Sequence, residues 1–301
     1  MTAPGPGITA YLVDGTYELF RHHFGQPADV RDRPGTNGAV RGVLWTLYYL
    51  LEEGATHVGV ASDHVIESFR NDLWRGYKTS AGMPPVLLAQ FPTLEEGVEA
   101  MGITTWAMVE LEADDALASA AAVLDDDATV HQVVIMTPDK DLGQCVKDQR
   151  VVQFDRRNKK VLDAAAVEAK FGVPPVSIPD YLALVGDSAD GFPGIAGFGA
   201  KTAAAVLKRY GGIDAIPADG RAWDVPGLRT PQRLAKTLQE NIELAVLFRT
   251  LATLQVERDL LGGPDQLRWR GPTGDFAAFC ARIESPQLAE RAAALAAARL
   301  Q

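Results

Sequence analysis

Three stretches of the chain carry an apolar, strand-forming run that leads straight into an aspartate. They are Ile8 to Val13 before Asp14, His57 to Ala61 before Asp63, and Val133 to Met136 before Asp139. Short continuous apolar runs of this kind, separated by helical patterns, indicate a parallel sheet with crossover helices. Apolar positions recur at helical spacing over Val40 to Glu53, Phe91 to Ala100 and Ala113 to Leu124. The pattern predicts an α/β fold in which helices flank a parallel sheet. In open sheets of this type the working site lies beyond the carboxyl ends of the strands. One strand-terminal aspartate is ordinarily a turn or capping residue, but three on separate strands would converge on one edge and point to a site.

Beyond about residue 170 the pattern changes. Phe171 to Pro179, rich in proline, reads as a connector, and Pro217 to Pro231 as a loop. A compact helical region contains Gly191 to Thr202, and Gln287 to Leu300 forms an alanine-rich terminal helix. There is no internal repeat and no long disordered tract. The expected organisation is a catalytic domain over residues 1–170 and a helical domain over 171–301.

A chain of 301 residues accommodates one large domain or two modest ones. A hydrophobic fraction of 47% and a charged fraction of 23% are those of a soluble globular protein. No apolar run is long enough for a bilayer span, and the N-terminus lacks the basic-then-apolar order of a secretion signal. Cys145 and Cys280 are too few for a disulfide framework. The expectation is a cytoplasmic monomer without a membrane partner.

A net charge of −10 opposes nucleic-acid binding if it is spread evenly. It is not. From Lys201 to Arg249 there are eight Lys and Arg against five acids, which supports a phosphate-binding surface. Arg156, Arg157, Lys159 and Lys160 form another basic group, although an ordinary solvated hairpin has the same composition.

The acids fall into motifs. Glu112-Ala113-Asp114-Asp115 opens a helical run, Asp139-Lys140-Asp141 follows a strand, and Gly186-Asp187-Ser188-Ala189-Asp190 ends an apolar helix. Capping explains one or two acids at a helix start, but three less well. Two carboxylates about 5 Å apart repel by roughly 3 kcal/mol at an effective dielectric near 20. A cleft holding several of them therefore needs cations. With no His or Cys in these motifs, the donors are hard oxygens, which suit Mg²⁺ or Mn²⁺ rather than zinc. Two such ions roughly 3.5–4 Å apart are the recurrent device for phosphodiester cleavage. All-carboxylate sites also serve phosphatases and phosphotransferases.

The ordered set Leu12-Val13-Asp14-Gly15, Ser68-Phe69-Arg70, Gly76-Tyr77-Lys78, Glu112-Ala113-Asp114-Asp115, Asp139-Lys140-Asp141-Leu142 and Gly186 to Gly194 resembles the bacterial 5′-nuclease family. That family includes flap endonucleases and the N-terminal nuclease domain of DNA polymerase I, and the resemblance runs over roughly residues 8 to 285. It implies a resolvase-like (PIN-like) nuclease domain followed by a helical region of the helix-hairpin-helix type. It also implies a two-ion site, with Asp14, Asp63, Glu112, Asp114 and Asp115 in one cluster and Asp139, Asp141, Asp187 and Asp190 in the other. Residues two apart do not share a helix face, so Glu112 and Asp114 both reach a metal only if Glu112 precedes the helix. Asp115 is the acid nearest to a supporting role.

By the same resemblance, residues 64–92 correspond to an arch that gates a single-stranded 5′ end. Arg70 and Lys78 correspond to cations that steady the scissile phosphate, and Tyr77 to a ring on which a terminal base stacks. Surface charges and a core tyrosine are the plainer alternatives. Gly194, Gly197, Gly199, Lys201 and Thr202 correspond to a hairpin that holds duplex phosphate through backbone N–H groups, with a monovalent cation at the turn. The chain departs from the family at Ala81, where an arginine is usual, and in the apolar run Met83 to Leu88. The implied activity is hydrolysis near DNA 5′ ends, with a polymerase and a ligase as separate partners. Two further readings stand beside it, a non-cleaving structure-specific DNA-binding protein and a related metal-dependent ribonuclease.

Overall fold

The computed structural model describes residues 7 to 299. They form two compact units. One, the sheet unit, comprises residues 7–66, 80–137 and 255–299; the other, the helical unit, comprises 67–79 and 138–254.

The sheet unit holds four parallel strands, β1 (Ile8–Asp14), β2 (His57–Asp63), β3 (Thr104–Met108) and β4 (Val130–Met136), in the order β3-β2-β1-β4. Every residue of β2 is buried, as its unbroken apolar run predicts. β3 was not legible as a strand, because Thr104, Thr105 and the exposed Ala107 interrupt its apolar pattern. β4 begins at Val130 rather than Val133, since His131 and Gln132 hide its first half. The Ala113–Asp126 helix packs on all four strands, and the Gly15–Phe24 and Gln90–Ala100 helices pack against β2. The expected helices at Val40, Phe91 and Ala113 run over Gly38–Glu52, Gln90–Ala100 and Ala113–Asp126.

The two compact units are interleaved along the chain. Residues 255–299 belong to the sheet unit because their contacts lie there. Trp269 N–H donates to Thr56 O at 2.8 Å, and a Cβ on Gly97 would sit 2.5 Å from the Phe279 ring. The terminal helix spans Pro286–Arg299; its expected end at Leu300 lies outside the described residues.

The helical unit contains an antiparallel hairpin of β5 (Val151–Asp155) and β6 (Lys160–Leu162). Its turn carries the basic group at Arg156 to Lys160, in which Arg157, Lys159 and Lys160 are exposed and Arg156 is half-buried. The helices Ala164–Phe171, Ile178–Val185, Ala200–Tyr210, Pro231–Glu240 and Ile242–Ala252 enclose a second core. Phe192 and Phe248 stack at its centre with ring centroids 5.4 Å apart. The connector expected at Phe171 to Pro179 is short. Gly172 ends one helix in the left-handed conformation, and Pro179 lies in the first turn of the next.

The segment expected as an arch is parted between the two units. Residues 67–79 belong to the helical unit and residues 80–92 to the sheet unit. The run Val86 to Leu88 packs rather than projecting, with Leu87 fully buried.

Candidate metal centre

Asp141, Asp187 and Asp190 place carboxylate oxygens within 4.8 Å of one another in the helical unit, and all three are buried. Local backbone geometry sets them there. Asp141 opens a 3-10 turn, and its N–H donates to Asp139 Oδ1 at 3.0 Å. Gly186, with φ of 89°, ends the Ile178–Val185 helix, and the chain then folds back so that Asp187 pairs with Phe192. Asp187 Oδ1 accepts the Ala189 N–H at 2.9 Å, which holds its carboxylate toward the turn.

Two lysines offset part of this negative charge. Lys78 Nζ lies 3.1 Å from Asp190 Oδ1, and Lys140 Nζ lies 2.7 Å from Asp187 Oδ2. Burial opposes the charge on Lys140, yet the hydrogen bond and field of Asp187 raise its pKa overall. Among the described residues no cation is ion-paired with Asp141. Its burial, followed by the fields of Asp139, Asp190 and Asp187, pushes its pKa well above the usual carboxylate range. Its Oδ1 is buried without a hydrogen-bond partner. An orphaned carboxylate oxygen among buried like charges is costly unless a cation joins it. The oxygen-only donor set therefore fits a hard divalent ion. Asp139 is exposed at the border of the group.

The other five acids lie in the sheet unit at the carboxyl ends of its strands and the start of one helix. Asp14, at the end of β1, accepts the Tyr17 N–H at 2.8 Å and the Thr137 hydroxyl at 2.9 Å. Asp63, at the end of β2, accepts the Ala113 N–H at 2.8 Å and so fixes the start of the Ala113–Asp126 helix beside it. Glu112 is the N-cap, one residue ahead of that helix. The condition for Glu112 and Asp114 to reach one point is thus met. Asp115 is fully buried and spends its oxygens on backbone, accepting Glu112 N–H at 2.9 Å and Gln255 N–H at 2.8 Å. It positions Glu112.

Two of the residues expected at the substrate are buried. Arg70 is buried, its Nε and Nη2 donating to Leu251 O at 2.8 Å and Thr253 O at 3.1 Å, where the Ile242–Ala252 helix ends. Carbonyls at a helix C-terminus lack intrahelical donors, and a guanidinium satisfies them. Arg70 therefore clamps that helix end. Tyr77 is 3% exposed in the core of the helical unit, so its ring is not offered to a base. Its neighbour Lys78 is the member of that motif that reaches the carboxylates. Sequence reasoning left Lys140 without a role; its place between Asp139 and Asp141 was the available signal.

The glycine-rich stretch turns sharply ahead of the Ala200–Tyr210 helix. Gly194 and Gly197 take φ of 72° and 91°, and Ile195 and Phe198 anchor the loop in the core. Gly199 caps the Ala200–Tyr210 helix, and a Cβ there would meet nothing within 4 Å. Lys201 is exposed in the first turn and Thr202 half-buried, so the first N–H groups of this helix stand at an open face. Among the described residues no helix is long and apolar enough to cross a membrane.

Comparison with known proteins places this geometry. Family models for the N-terminal resolvase-like domain and the C-terminal SAM fold of 5′-3′ exonucleases match residues 9–172 and 173–275. The chain is 32% identical over 254 residues to a 5′-3′ exonuclease of Aquifex aeolicus, covering 84% of this chain and 86% of that protein. It is 34% identical over 261 residues to DNA polymerase I of Rhizobium leguminosarum, of which it spans only 25%. Among solved structures, T5 5′-exonuclease with bound zinc ions superposes with a TM-score of 0.63 at 16% identity, covering 97% of this chain and 98% of that one. The catalytic core of Rad2 with DNA substrate gives 0.64 at 16% identity, covering 96% and 91%. At those identities the structural matches speak for the fold, while the family models and the Aquifex relative decide membership: the chain belongs to the 5′-3′ exonuclease family.

Proposed function

We propose that this protein is a divalent-metal-dependent nuclease that hydrolyses phosphodiester bonds near DNA 5′ ends, at flaps, junctions or frayed termini. The observation that carries the reading is the trio Asp141, Asp187 and Asp190, three buried carboxylates within 4.8 Å in a chain of this family. A binding module gains nothing from burying like charges, which speaks against a non-cleaving relative. The continuous match through the C-terminal SAM fold favours the 5′-nuclease reading over a smaller ribonuclease.

Asp141, Asp187 and Asp190, with Asp139 beside them, would hold one ion, and Asp14, Asp63, Glu112 and Asp114 another; Mg²⁺ or Mn²⁺ suits both donor sets. Bound there, such ions supply Lewis-acid polarisation of the phosphoryl group and a water of lowered pKa. The chain's own residues do the rest. Lys78 stands at the carboxylates as a mobile cation, able to exchange Asp190 for a phosphate oxygen on which charge develops. Lys140 keeps Asp187 ionised and oriented. Asp115 and Thr137 fix Glu112 and Asp14 through hydrogen bonds. The N-terminus of the Ala200–Tyr210 helix, with Lys201, offers N–H groups to a duplex phosphate, and the turn before it is the place for a monovalent cation. A trimmed 5′ end needs filling and sealing, so a polymerase and a ligase are the partner classes.

The test uses 5′-labelled flap and blunt duplex substrates with the purified protein. Cleavage is expected with Mg²⁺ or Mn²⁺, to disappear with chelator, and to fall at least ~100-fold in Asp141→Asn while duplex affinity is kept. Turnover in chelator, or wild-type rates in Asp141→Asn, would overturn the reading.

A further inference from the structure

At the amino end of β2, at the far end of that strand from Asp63, the sheet unit contains a cleft of about 550 Å³. Gly54, Thr56, Arg268, Trp269, Arg270, Ala296 and Arg299 line it, and among the described residues no carboxylate does. Three guanidinium groups around one cavity stand out in a chain of net charge −10.

The floor is rigid. Trp269 is 5% exposed, and its Nε1 donates to Met101 O at 2.8 Å, which fixes the indole. The Arg299 guanidinium lies 5.2 Å from the centre of the Trp269 ring. Its Nη1 donates to Ala55 O at 2.9 Å and its Nη2 to Leu51 O, at the end of the Gly38–Glu52 helix. Partial burial lowers the pKa of Arg299. Arg270 has only the solvent-exposed Asp265 at 3.4 Å, a contact of little strength. Arg268 has no ion pair among the described residues. Gly54 opens one wall, since a Cβ there would meet nothing within 4 Å.

We propose that this cleft binds a phosphate ester. Arg299, held on two backbone carbonyls, shapes the wall, and Arg268 and Arg270 supply the forks. One fork satisfies a carboxylate, whereas a phosphate, with up to two charges and three free oxygens, engages two. The volume lies within the range of about 300–1,000 Å³ usual for small-ligand sites. The phosphate can belong to a free 5′-mononucleotide or to a DNA backbone remote from the cut. The inference does not rest on the nuclease reading, because its test reads binding rather than cleavage.

The experiment is calorimetric titration of the full chain, in chelator, with deoxyadenosine 5′-monophosphate, inorganic phosphate and deoxyadenosine, together with a salt series of blunt-duplex affinity. The same measurements are made on the Arg268→Ala/Arg270→Ala double variant, which leaves Arg299 and its helix contacts intact. A free mononucleotide as ligand predicts saturable binding of the monophosphate and phosphate, none of the nucleoside, and a loss of at least ~tenfold in the variant. A DNA backbone as ligand predicts no mononucleotide binding. In that case duplex affinity falls by at least ~tenfold in the variant, with a salt slope shallower by about 2. Thermal unfolding of the variant should match the wild type. If neither mononucleotide binding nor duplex affinity distinguishes the variant from the wild type, the cleft is not a phosphate site.

Discussion

Arg70 shows how a residue type that suggests chemistry can be consumed by structure. Its guanidinium serves two carbonyls at the end of the Ile242–Ala252 helix and lies 4.7 Å from the Phe69 ring centre. Arg70→Met should therefore lower stability by about 2–4 kcal/mol, because buried carbonyls lose their donors. Denaturant unfolding of the metal-free protein measures this; an unchanged midpoint with lost cleavage would return Arg70 to the catalytic role. His23 is a second residue whose environment sets its behaviour. It is fully buried, neither ring nitrogen is hydrogen-bonded among the described residues, and burial, then the field of Arg31, lowers its pKa. A histidine whose folded pKa lies below its unfolded value of about 6.5 takes up its proton first in the unfolded chain. Its contribution to stability is thus intact above about pH 6.5 and falls as pH drops toward the folded pKa. Between about pH 7.5 and pH 5.5 the wild type should lose more unfolding free energy than His23→Phe. His57, whose pKa burial also lowers, contributes to the dependence left in the variant. Equal losses would mean that His23 opens to water before it titrates.

At the scale of elements, glycines separate folding from binding within a single loop. Gly194 has φ of 72°, and a Cβ there would lie 2.4 Å from Gly186 N. Gly194→Ala should cost about 1–3 kcal/mol through strain and displaced backbone. Gly199 has φ of −81° and open space, so Gly199→Ala should leave the melting temperature within a few degrees. If its N-cap face holds phosphate, duplex affinity falls in Gly199→Ala all the same. The pair of melting curves and binding isotherms decides whether this loop is a scaffold, a contact, or both. The sequence was most readable where local pattern and burial agree. β1 and β2 and the helix at Ala113 show continuous or periodic apolar runs because their environment is uniform. β3 and β5 were missed, since Thr104, Thr105 and Gln153 break the run although their strands pair normally. The carboxylates were legible as motifs, being fixed by neighbours within a few residues. Arg70 and Tyr77 were not, because their partners Leu251, Thr253 and the Phe192 core lie far along the chain.

For the whole molecule, the balance of charge is the quantity that sequence gives as a number and structure as an arrangement. Of the eight basic residues between Lys201 and Arg249, five are engaged with carboxylates: Lys208 with Glu168, Arg209 with Asp224, Arg221 with Asp219, Lys236 with Glu240, and Arg249 with Asp180 and Asp214. Lys201, Arg229 and Arg233 are exposed, and no ion pair is found for them among the described residues. The local cationic excess thus resides in a few side chains. In a protein of net charge −10, long-range attraction to DNA is weak, and affinity must come from discrete phosphate contacts. Each contact releases counterions, contributing about 0.9 to the slope of log affinity against log salt. Lys201→Ala should therefore make that slope shallower by about 0.9 and weaken duplex binding at low salt, equally for all sequences. Arg209→Ala, which removes a cation already facing Asp224 and its carbonyl, should change the slope far less. The two variants differ by the same formal charge from the wild type, so net charge alone predicts identical effects. Equal slopes for the two would place the phosphates elsewhere than at the Ala200–Tyr210 helix.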